Sequence, residues 1–530
     1  MENRKRIVVP ILIGAALSLG LFFGYQFSKP MGMGAYGGSS ASSKYQKLSD
    51  ILTIINSKYV DTVNADKLLE ETISEMLHRL DPHSNYIPAD ELKLAKEQIN
   101  GEFSGVGIRF FIHRDTISIT NVIKGSPSYQ AGVKAGDRII EVDGKKVAGT
   151  KVKNEDVMKM LKGPTNSKVK VKVLRGKDKQ EYTIVRGAIP IESVTASYMY
   201  DDKTGVIRVD QFSMTTADEF RASLYELKKQ GMQQLILDLR NNPGGVLQAG
   251  VEMLDEFLSE GKLILTTKGT NIKDRQYKAT RRGDYEQMPL VVLINENSAS
   301  ASEIVSGALQ DNDRALIVGR RSFGKGLVQE DMVLKDGSSL RLTVARYYTP
   351  TGRSIQRPYD GDIEDYYHDQ TERYESGELY APDSSLMVDS LKFKTPKGKV
   401  VYGGGGIMPD VFVPIDTTGN SWYLTQLRYM GVFQAFAFDF AADKYTKWKS
   451  PQEYNRQFQV TDQMLNQFAD YAARNYEIKK DARGLARSKE RIRTFLKAEI
   501  ARQIWTENGY FTVLNQQDKE IIAARKALKK

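Results

Sequence analysis

The sequence predicts a multidomain α+β protein with an apolar N-terminal segment, a helical region, two mixed units of strands and helices, and a C-terminal helical extension. Its 530 residues are enough for about three or four domains. Hydrophobic residues make up 41% of the chain, which is ample for buried cores. The mean hydropathy of −0.43 excludes a polytopic membrane protein. Along the chain, apolar residues alternate between helical spacing and short β-branched runs.

The residue types that are rare or absent restrict the chemistry. The sequence has no cysteine, which excludes disulfides, Cys-ligated zinc, iron–sulfur clusters, a cysteine nucleophile and a lipidated N-terminal cysteine. Histidine, the usual general base, occurs only four times. The net charge is +10, and residues 481–530 carry 12 Lys and Arg against 6 Asp and Glu. That basic tail predicts a solvated helical face, with contact to anionic lipid or nucleic acid as the alternative.

The N-terminus indicates the compartment. Arg4, Lys5 and Arg6 precede 22 residues without a charge, Ile7–Ser28, which is long enough to span a bilayer. Basic residues before the span place the N-terminus in the cytoplasm and the body outside the inner membrane, in the periplasm or extracytoplasmic space. A cleaved signal peptide is the alternative for residues 1–28, although no small-residue cleavage site follows directly. Either alternative exports the chain, so we do not expect a nucleic-acid partner. Residues 29–43 are rich in Gly and Ser and predict a linker.

The first half of the body divides into a helical region and a compact mixed unit. Residues 44–100 have apolar residues at helical spacing, interrupted at Leu80–Ser84, where a proline follows an aspartate. Residues 101–187 predict a glycine turn running into a strand at 103–110, further strands at 117–122, 138–142 and 168–174, and helices at 126–136 and 154–161.

Residues 188–356 predict an α/β unit, which residues 406–419 complete. Strands are predicted at 205–209, 234–239, 290–294 and 315–318, separated by helices at 216–229, 247–259 and 300–310. Residues 357–405 are polar and poorly periodic, and predict an irregular insertion, in part disordered. Residues 420–530 return to helical spacing and predict a helical domain.

Two turns of the α/β unit predict a site for nucleophilic catalysis. Ser300 lies in the run S-A-S-A-S-E, where a buried strand gives way to a helix whose free N–H groups could stabilise an oxyanion. Gly244 and Gly245 end a second strand, and such a turn lets backbone N–H groups approach a ligand closely. Helix capping by the serines and an ordinary tight turn are the alternatives for each motif taken alone.

A third turn supplies a candidate base. Lys325 lies between two glycines, which leave room around its amine, and it can act as a base if burial lowers its pKa. If the stretch is a strand, Gln329 shares a face with Lys325 and could hold the amine. A surface lysine in a loop is the alternative.

Three other hydrolase types fit the sequence poorly. Ser322 and Lys325 form an S-x-x-K motif. That motif needs a helix to bring its serine and lysine together, and the two glycines around Lys325 disfavour a helix. The K-T-G motif that accompanies S-x-x-K lies upstream here, which is the wrong order. No histidine falls between Asp201 and Tyr367, and there is no G-x-S-x-G, so a Ser-His-Asp triad is not expected. No histidine pair has H-E-x-x-H spacing, so we expect no metal site.

Taken together, motifs along Leu80–Pro414 resemble the C-terminal processing (tail-specific) protease family. In chain order, the motifs are LDPHSNY, FSGVGIRF, SPSYQAGVKAGDRIIEVDG, DLRNNPGG, SASASEI, FGKGLVQ, RYYTPTGRSIQ and GIMPD. Each motif alone is weak, but this many in one order is specific.

The resemblance implies a ClpP/crotonase-like protease core and a role for each matched residue. Ser300 would be the nucleophile, Lys325 the neutral general base and Gln329 the residue that orients it. The N–H of Ala301 and one from Gly244 or Gly245 would form the oxyanion hole. The implied reaction is peptide hydrolysis through an acyl-enzyme, with no cofactor, ATP or metal.

Residues 101–187 resemble the PDZ domain of the family. Gly105, Val106, Gly107 and Ile108 match the loop that binds a C-terminal carboxylate, which implies protein or peptide substrates with free C-termini. A non-catalytic PDZ peptide-binding scaffold is the alternative function. Family analogy alone leaves a homo-oligomer open. The sequence departs from compact relatives at residues 357–405, where about 50 residues precede the G-I-x-P-D motif.

Overall fold

A computed structural model of the protein describes residues 40–280, 283–359, 363–383, 385, 387–441 and 447–529. The predicted anchor or signal segment, residues 1–28, lies outside them, and no helix in the described residues is long and apolar enough to cross a bilayer. The chain forms two compact units, which divide between Met76 and Leu77. The first unit consists, where described, of α1 (Ser40–Lys58) and most of α2 (Ala65–His78). Helix α1 therefore includes the last four residues of the predicted linker.

The second unit begins with the last two residues of α2, and the predicted break at Leu80–Ser84 follows. Asp81 holds this turn, since its carboxylate accepts hydrogen bonds from the N–H groups of His83 and Ser84, at 2.8 and 2.9 Å, and from the Ser84 hydroxyl at 2.6 Å. The short strand β1 (Asn85–Ile87) and helix α3 (Ala89–Asn100) follow.

A small sheet domain comes next, with strands in the order β3-β4-β5-β7-β8. Its elements are β2 (Glu102–Gly105), β3 (Ile108–His113), β4 (Thr116–Val122), α4 (Pro127–Ala131), β5 (Arg138–Val142), β6 (Lys145–Lys146), α5 (Asn154–Leu161), β7 (Lys168–Arg175) and β8 (Asp178–Val185). Strand β7 alternates in burial as its sequence predicts, while β8 was not predicted. Strand β3 lies at the edge of the sheet, and among the described residues it pairs only with β4.

The α/β unit is built on a six-stranded sheet in the order β10-β11-β12-β15-β16-β21. Its strands are β10 (Val194–Met199), β11 (Thr204–Val209), β12 (Gln234–Asp238), β15 (Leu290–Ile294), β16 (Leu316–Gly319) and β21 (Val411–Phe412), and its helices are α6 (Thr216–Lys229), α7 (Leu247–Leu254) and α8 (Ala301–Asp311). All pairs except β10–β11 are parallel. Every residue of β15 is buried, as a central parallel strand requires.

A second sheet packs beside this one and was not predicted. It joins β1 to β13 (Leu263–Gly269), β14 (Ile272–Lys278), β17 (Leu327–Val333) and β18 (Ser339–Tyr348), while β9 (Gly187–Pro190) pairs with β2.

The insertion contains several regular elements, so the prediction of an irregular segment was wrong for those residues. It contains α9 (Ile363–Glu375), a 3₁₀ turn (Asp389–Leu391) and a hairpin of β19 (Lys392–Lys394) and β20 (Val400–Tyr402). Its polar composition hides this structure, because the buried groups of α9 are an aromatic ring, Tyr366, and an ion-paired arginine, Arg373.

The C-terminal region is helical, as predicted. Its helices are α10 (Trp422–Tyr429), α11 (Val432–Ala441), α12 (Pro451–Gln457), α13 (Asp462–Tyr476), α14 (Ala482–Arg487), α15 (Lys489–Leu514) and α16 (Lys519–Ala527). Helices α10 to α15 share one apolar core, around Tyr454, Phe468 and Leu496. Helix α16 instead packs on the six-stranded sheet, where Ile521 and Ala524 are completely buried.

Candidate active site

Three turns of the α/β unit meet because of the strand order. Strands β12, β15 and β16 are adjacent and parallel, so their carboxyl ends lie at one edge of the sheet. The turn after β12 carries Gly244 and Gly245, the turn after β15 carries Ser300, and the turn after β16 leads to Lys325. The three motifs that the sequence predicted as separate candidates therefore converge.

Ser300 lies immediately before α8 in a strained backbone conformation. Its φ and ψ are 53° and −113°, which is a region that residues other than glycine rarely adopt. The surrounding turn fixes this conformation, since the Ala299 N–H and the Ser302 hydroxyl both donate to the carbonyl oxygen of Asn242, each at 3.0 Å. Strain held in place at a single serine is typical of a residue that a site must present in one orientation.

The glycine turn packs directly on the serine turn. A Cβ on Gly244 would lie 2.7 Å from Ser300 Cβ and 2.8 Å from the Ala301 nitrogen, so only glycine fits there. The N–H of Gly244 donates to Asn242 Oδ1 at 2.8 Å and is already used. Within the described residues, the N–H groups of Gly245 and Ala301 have no acceptor. Of the two glycines predicted as oxyanion donors, the structure thus leaves Gly245 available.

Lys325 is a buried amine held by one neighbour. Its Nζ donates to Gln329 Oε1 at 2.8 Å, and the Gln329 side-chain amide donates in turn to the carbonyl oxygen of His83. Burial lowers the pKa of Lys325, and the positive charge of Arg341 lowers it further. Lys325 precedes β17 and a bulge follows Val328, so the contact with Gln329 arises without the regular strand that the sequence suggested.

Glu303 joins the serine turn to the lysine turn, a role that was not predicted from the sequence. Its completely buried carboxylate accepts four hydrogen bonds, from the N–H groups of Ser300, Gly324 and Lys325 at 2.9, 2.7 and 2.8 Å and from the Ser322 hydroxyl at 2.6 Å. Burial raises the pKa of Glu303 to about 7, although these hydrogen bonds oppose the shift. The sequence did contain a signal for this contact, because a glutamate three residues after a helix-capping serine is typical of a capping box.

Ser322 is excluded as a nucleophile by its surroundings. It is completely buried, its hydroxyl donates to Glu303 and it accepts from the N–H of Ile407 at 2.6 Å. No helix forms at residues 320–326, so the S-x-x-K arrangement is absent there.

His83 lies behind Gln329, although the α/β unit itself lacks a histidine. Its ring nitrogen Nε2 forms a hydrogen bond of 2.7 Å with the hydroxyl of Tyr366 in α9. Burial lowers the pKa of His83 to about 3, so the ring stays neutral at ordinary pH. Local patterns cannot show which turn a distant loop will contact, so this placement could not be predicted from the sequence.

The insertion supports the lysine turn from its far side. The Arg357 guanidinium lies 3.7 Å from the ring centroid of Tyr366 and 4.3 Å from that of Phe323. Arg373 of α9 donates to the carbonyl oxygens of Arg321 and Ser322, at 2.7 and 3.2 Å. These contacts hold the residues that lead into Lys325.

One cavity of about 490 Å³ collects the predicted residues. Its lining includes Ser300, Lys325, Gln329, Gly244 and Gly245. Within the described residues, no hydrogen bond joins Ser300 Oγ to Lys325 Nζ, and no cluster of three His, Cys, Asp or Glu side chains could hold a metal ion. A serine hydroxyl on a strained turn, a buried amine and two free N–H groups therefore lie at one cavity. Together these groups can perform acyl transfer.

The predicted carboxylate-binding loop joins β2 to the edge strand β3. Gly105 ends β2, Val106 is buried, and Ile108 begins β3. Gly107 has a φ of 80°, and a Cβ there would lie 2.3 Å from Ser126 Cβ. The loop is therefore fixed beside a strand whose outer edge is unpaired within the described residues, a geometry that suits β-strand addition by an extended peptide.

Four family models match parts of the chain. The model of peptidase family S41 matches residues 203–365, and a PDZ domain model matches residues 118–175. The model of the N-terminal domain of the activating protease CtpB matches residues 26–91, and a family of unknown function matches residues 423–506. The S41 match contains all three turns, and the PDZ match lies within the small sheet domain.

Similar proteins carry protease names. A carboxy-terminal-processing protease of Bartonella bacilliformis is 38% identical over 317 residues, which cover 58% of this chain and 72% of that protein. A probable CtpA-like serine protease of Staphylococcus aureus is 35% identical over 311 residues, covering 58% of this chain and 62% of that protein. A solved photosystem II D1 C-terminal processing protease is 29% identical, covers 59% of this chain and 90% of its own, and has a TM-score of 0.33.

Proposed function

The chain belongs to peptidase family S41, the family of the carboxy-terminal-processing proteases, and we propose that it is an endopeptidase whose chemistry uses a Ser300–Lys325 dyad. Membership of this family favours a serine protease over a non-catalytic PDZ scaffold. One observation supports the dyad most directly. A serine in a strained backbone conformation and a buried lysine of lowered pKa line the same cavity.

In the proposed reaction, Ser300 Oγ attacks the scissile carbonyl carbon while neutral Lys325 Nζ takes the hydroxyl proton. The N–H groups of Ala301 and Gly245 stabilise the oxyanion of the tetrahedral intermediate. Lys325 then gives the proton to the leaving amine, which breaks the C–N bond and leaves an acyl-enzyme on Ser300. Water, deprotonated by Lys325, attacks the ester carbonyl carbon, and the C–O bond to Ser300 Oγ breaks. Lys325 returns the proton to Ser300 Oγ, and the new carboxyl end leaves and ionises to a carboxylate. Gln329 keeps the amine oriented throughout.

A serine-reactive fluorophosphonate tests this assignment without a known substrate. We expect one covalent adduct on the intact protein, located on the peptide that contains Ser300, and its formation should slow strongly in Lys325→Ala. The matched control is Ser322→Ala, which should still be labelled at Ser300. Labelling of Ser322, or equal labelling rates with and without the lysine, would contradict the dyad.

Substrate recruitment is proposed for the PDZ domain. Supporting observations are the fixed loop Gly105–Ile108 and the unpaired edge of β3 beside it. An unfolded substrate with a free C-terminal carboxylate should be cleaved with a lower KM than the same substrate carrying a C-terminal amide. Equal KM values for the two substrates would show that the PDZ domain does not recognise the C-terminal carboxylate.

We also propose that the body lies outside the inner membrane and is held there by residues 1–28. The support is the run of 22 uncharged residues after Arg6. In cells, the full chain should sediment with membranes, and external protease should digest its body in spheroplasts but not in intact cells. A body protected in spheroplasts would contradict this placement.

A further inference from the structure

The last helix of the chain reaches the far side of the active-site turns. Helix α16 packs its buried Ile521 and Ala524 on the six-stranded sheet, in one apolar cluster with Ile236 of β12 and Val318 of β16. Asp518 caps the helix, accepting hydrogen bonds from two N–H groups of its first turn at 2.8 and 3.2 Å. This packing brings the acidic first turn of α16 to the carboxyl ends of the strands that carry the site.

Arg240, at the start of the glycine turn, is held at both ends of its guanidinium group. Its Nε and Nη2 donate to Asp238 at 2.9 and 2.7 Å, while Nη1 donates to Asp518 at 2.8 Å and to Glu520. Only 7% of the arginine is exposed. A buried guanidinium with several carboxylate partners has little freedom, so the position of the glycine turn depends on α16.

Glu520 contacts a second arginine with its other oxygen. Its Oε1 accepts from Arg320 Nη1 at 2.6 Å, and Arg320 Nε donates to Glu296 at 2.8 Å. Arg320 begins the turn that leads to Lys325, and Glu296 lies in the turn that leads to Ser300. The result is an ionic chain of Glu296, Arg320, Glu520 and Arg240.

This ionic chain has one member from each of the three active-site turns. Glu520 is its only member from outside the α/β unit, and it connects the lysine turn to the glycine turn. Both arginines are nine-tenths buried or more, so bulk water cannot easily replace a lost carboxylate.

We propose that Glu520, supported by Asp518, is a positioning residue that fixes the spacing of the three turns, so that the C-terminal helix completes the active site. The inference rests on the proposed Ser300–Lys325 chemistry. The oxyanion donor at Gly245 and the amine of Lys325 lie on turns that Glu520 joins, and a shift of about 1 Å between such groups can cost about 100-fold in rate.

Glu520→Gln tests the role, because glutamine keeps the shape and removes the charge. The matched control is Arg525→Gln in the same helix, which breaks the 2.9 Å ion pair with Asp201, away from the turns. We expect kcat on an unfolded protein substrate to fall roughly 10- to 100-fold in Glu520→Gln, with KM changed less than about threefold. Arg525→Gln should keep the wild-type kcat.

A peptide aldehyde, which forms a tetrahedral adduct on a serine, separates positioning from a loss of folded protein. Its affinity for the folded fraction of Glu520→Gln should fall in proportion to kcat. If that variant does not fold, Asp518→Asn takes its place, because asparagine still caps the helix, and kcat should fall roughly 3- to 10-fold.

Two results would overturn the inference. An active wild type with a Glu520→Gln variant of unchanged kcat and aldehyde affinity would refute the positioning role alone. A properly folded wild type that neither cleaves substrate nor binds the aldehyde would refute the proposed function, and the inference with it.

Discussion

Replacing Glu303 by glutamine removes the charge that joins the serine and lysine turns without changing the volume of the side chain. One carboxylate oxygen accepts from the N–H groups of Ser300 and Lys325, and the other accepts from the Ser322 hydroxyl and the Gly324 N–H. In the glutamine variant, an NH₂ group replaces one of these two oxygens. At the first position it faces two N–H donors, and at the second it faces the Gly324 N–H and a Ser322 hydroxyl that can turn to accept.

The magnitude follows from the one or two backbone N–H groups that lose their acceptor, depending on how the amide is turned. A buried N–H without an acceptor costs about 1–3 kcal/mol, so at about pH 5, where burial keeps Glu303 of the folded wild type protonated, the free energy of unfolding should fall by about 1–3 kcal/mol. The remaining folded protein should also lose activity, because Ser300 and Lys325 no longer share one anchor. We expect kcat per folded molecule to fall roughly 100-fold.

Urea denaturation and single-turnover cleavage measure the two effects separately. The matched control is Asp311→Asn, at the other end of helix α8 and about 12 Å along its axis from Glu303. Asp311 is a buried carboxylate paired with Arg353 at 2.8 Å, so its loss should lower stability by at least as much, about 3–5 kcal/mol. The control should keep its kcat per folded molecule. Equal kcat values in both variants would refute the anchoring role of Glu303.

The remaining predictions concern pH and two glycines. The specificity constant kcat/KM should rise with pH, because Lys325 must lose its proton and Glu303 ionises near pH 7. A value of kcat/KM that falls between pH 6 and 9 would contradict both roles. Because the folded pKa of Glu303 is raised, its contribution to stability is present below about pH 4.5 and is lost as the pH rises through about 7. The free energy of unfolding should therefore drop by about 3 kcal/mol across that window in the wild type, and the drop should be absent in Glu303→Gln. Gly244→Ala should abolish cleavage because its Cβ would overlap the backbone of the serine turn, and an active variant would show that the glycine turn is not packed as described. Gly107→Ala should raise KM for substrates with free C-termini and leave amidated ones unchanged; a fall in kcat for both would point to general damage.

The positions of the three active-site turns could be predicted from the sequence. Each motif follows a short apolar run, and parallel strands place such turns at one edge of a sheet. The sequence pattern also favoured Ser300 over Ser322 as the candidate nucleophile, because the glycines around Lys325 disfavour the helix that S-x-x-K requires. Both predictions depend on local features, which a sequence displays directly.

The supporting contacts could not be predicted, because they join residues far apart in the chain. Arg240 is 278 residues from Asp518 and 280 from Glu520, and Gln329 is 246 residues from His83. Hydrophobic periodicity carries no information about such ion pairs and hydrogen bonds. The sequence likewise could not show whether Gly244 or Gly245 offers a free N–H to the oxyanion. Only the hydrogen bond from the Gly244 N–H to Asn242 Oδ1 distinguishes the two glycines.

The Ser300–Lys325 dyad is tested most sharply by three variants, Ser300→Ala, Lys325→Ala and Ser322→Ala, given an unfolded protein with an apolar C-terminus. We expect no cleavage by Ser300→Ala or Lys325→Ala. We expect measurable cleavage by Ser322→Ala, because the wild-type Ser322 hydroxyl only forms hydrogen bonds with Glu303 and the Ile407 N–H. Activity that survives in Ser300→Ala, or a complete loss confined to Ser322→Ala, would contradict the Ser300–Lys325 dyad.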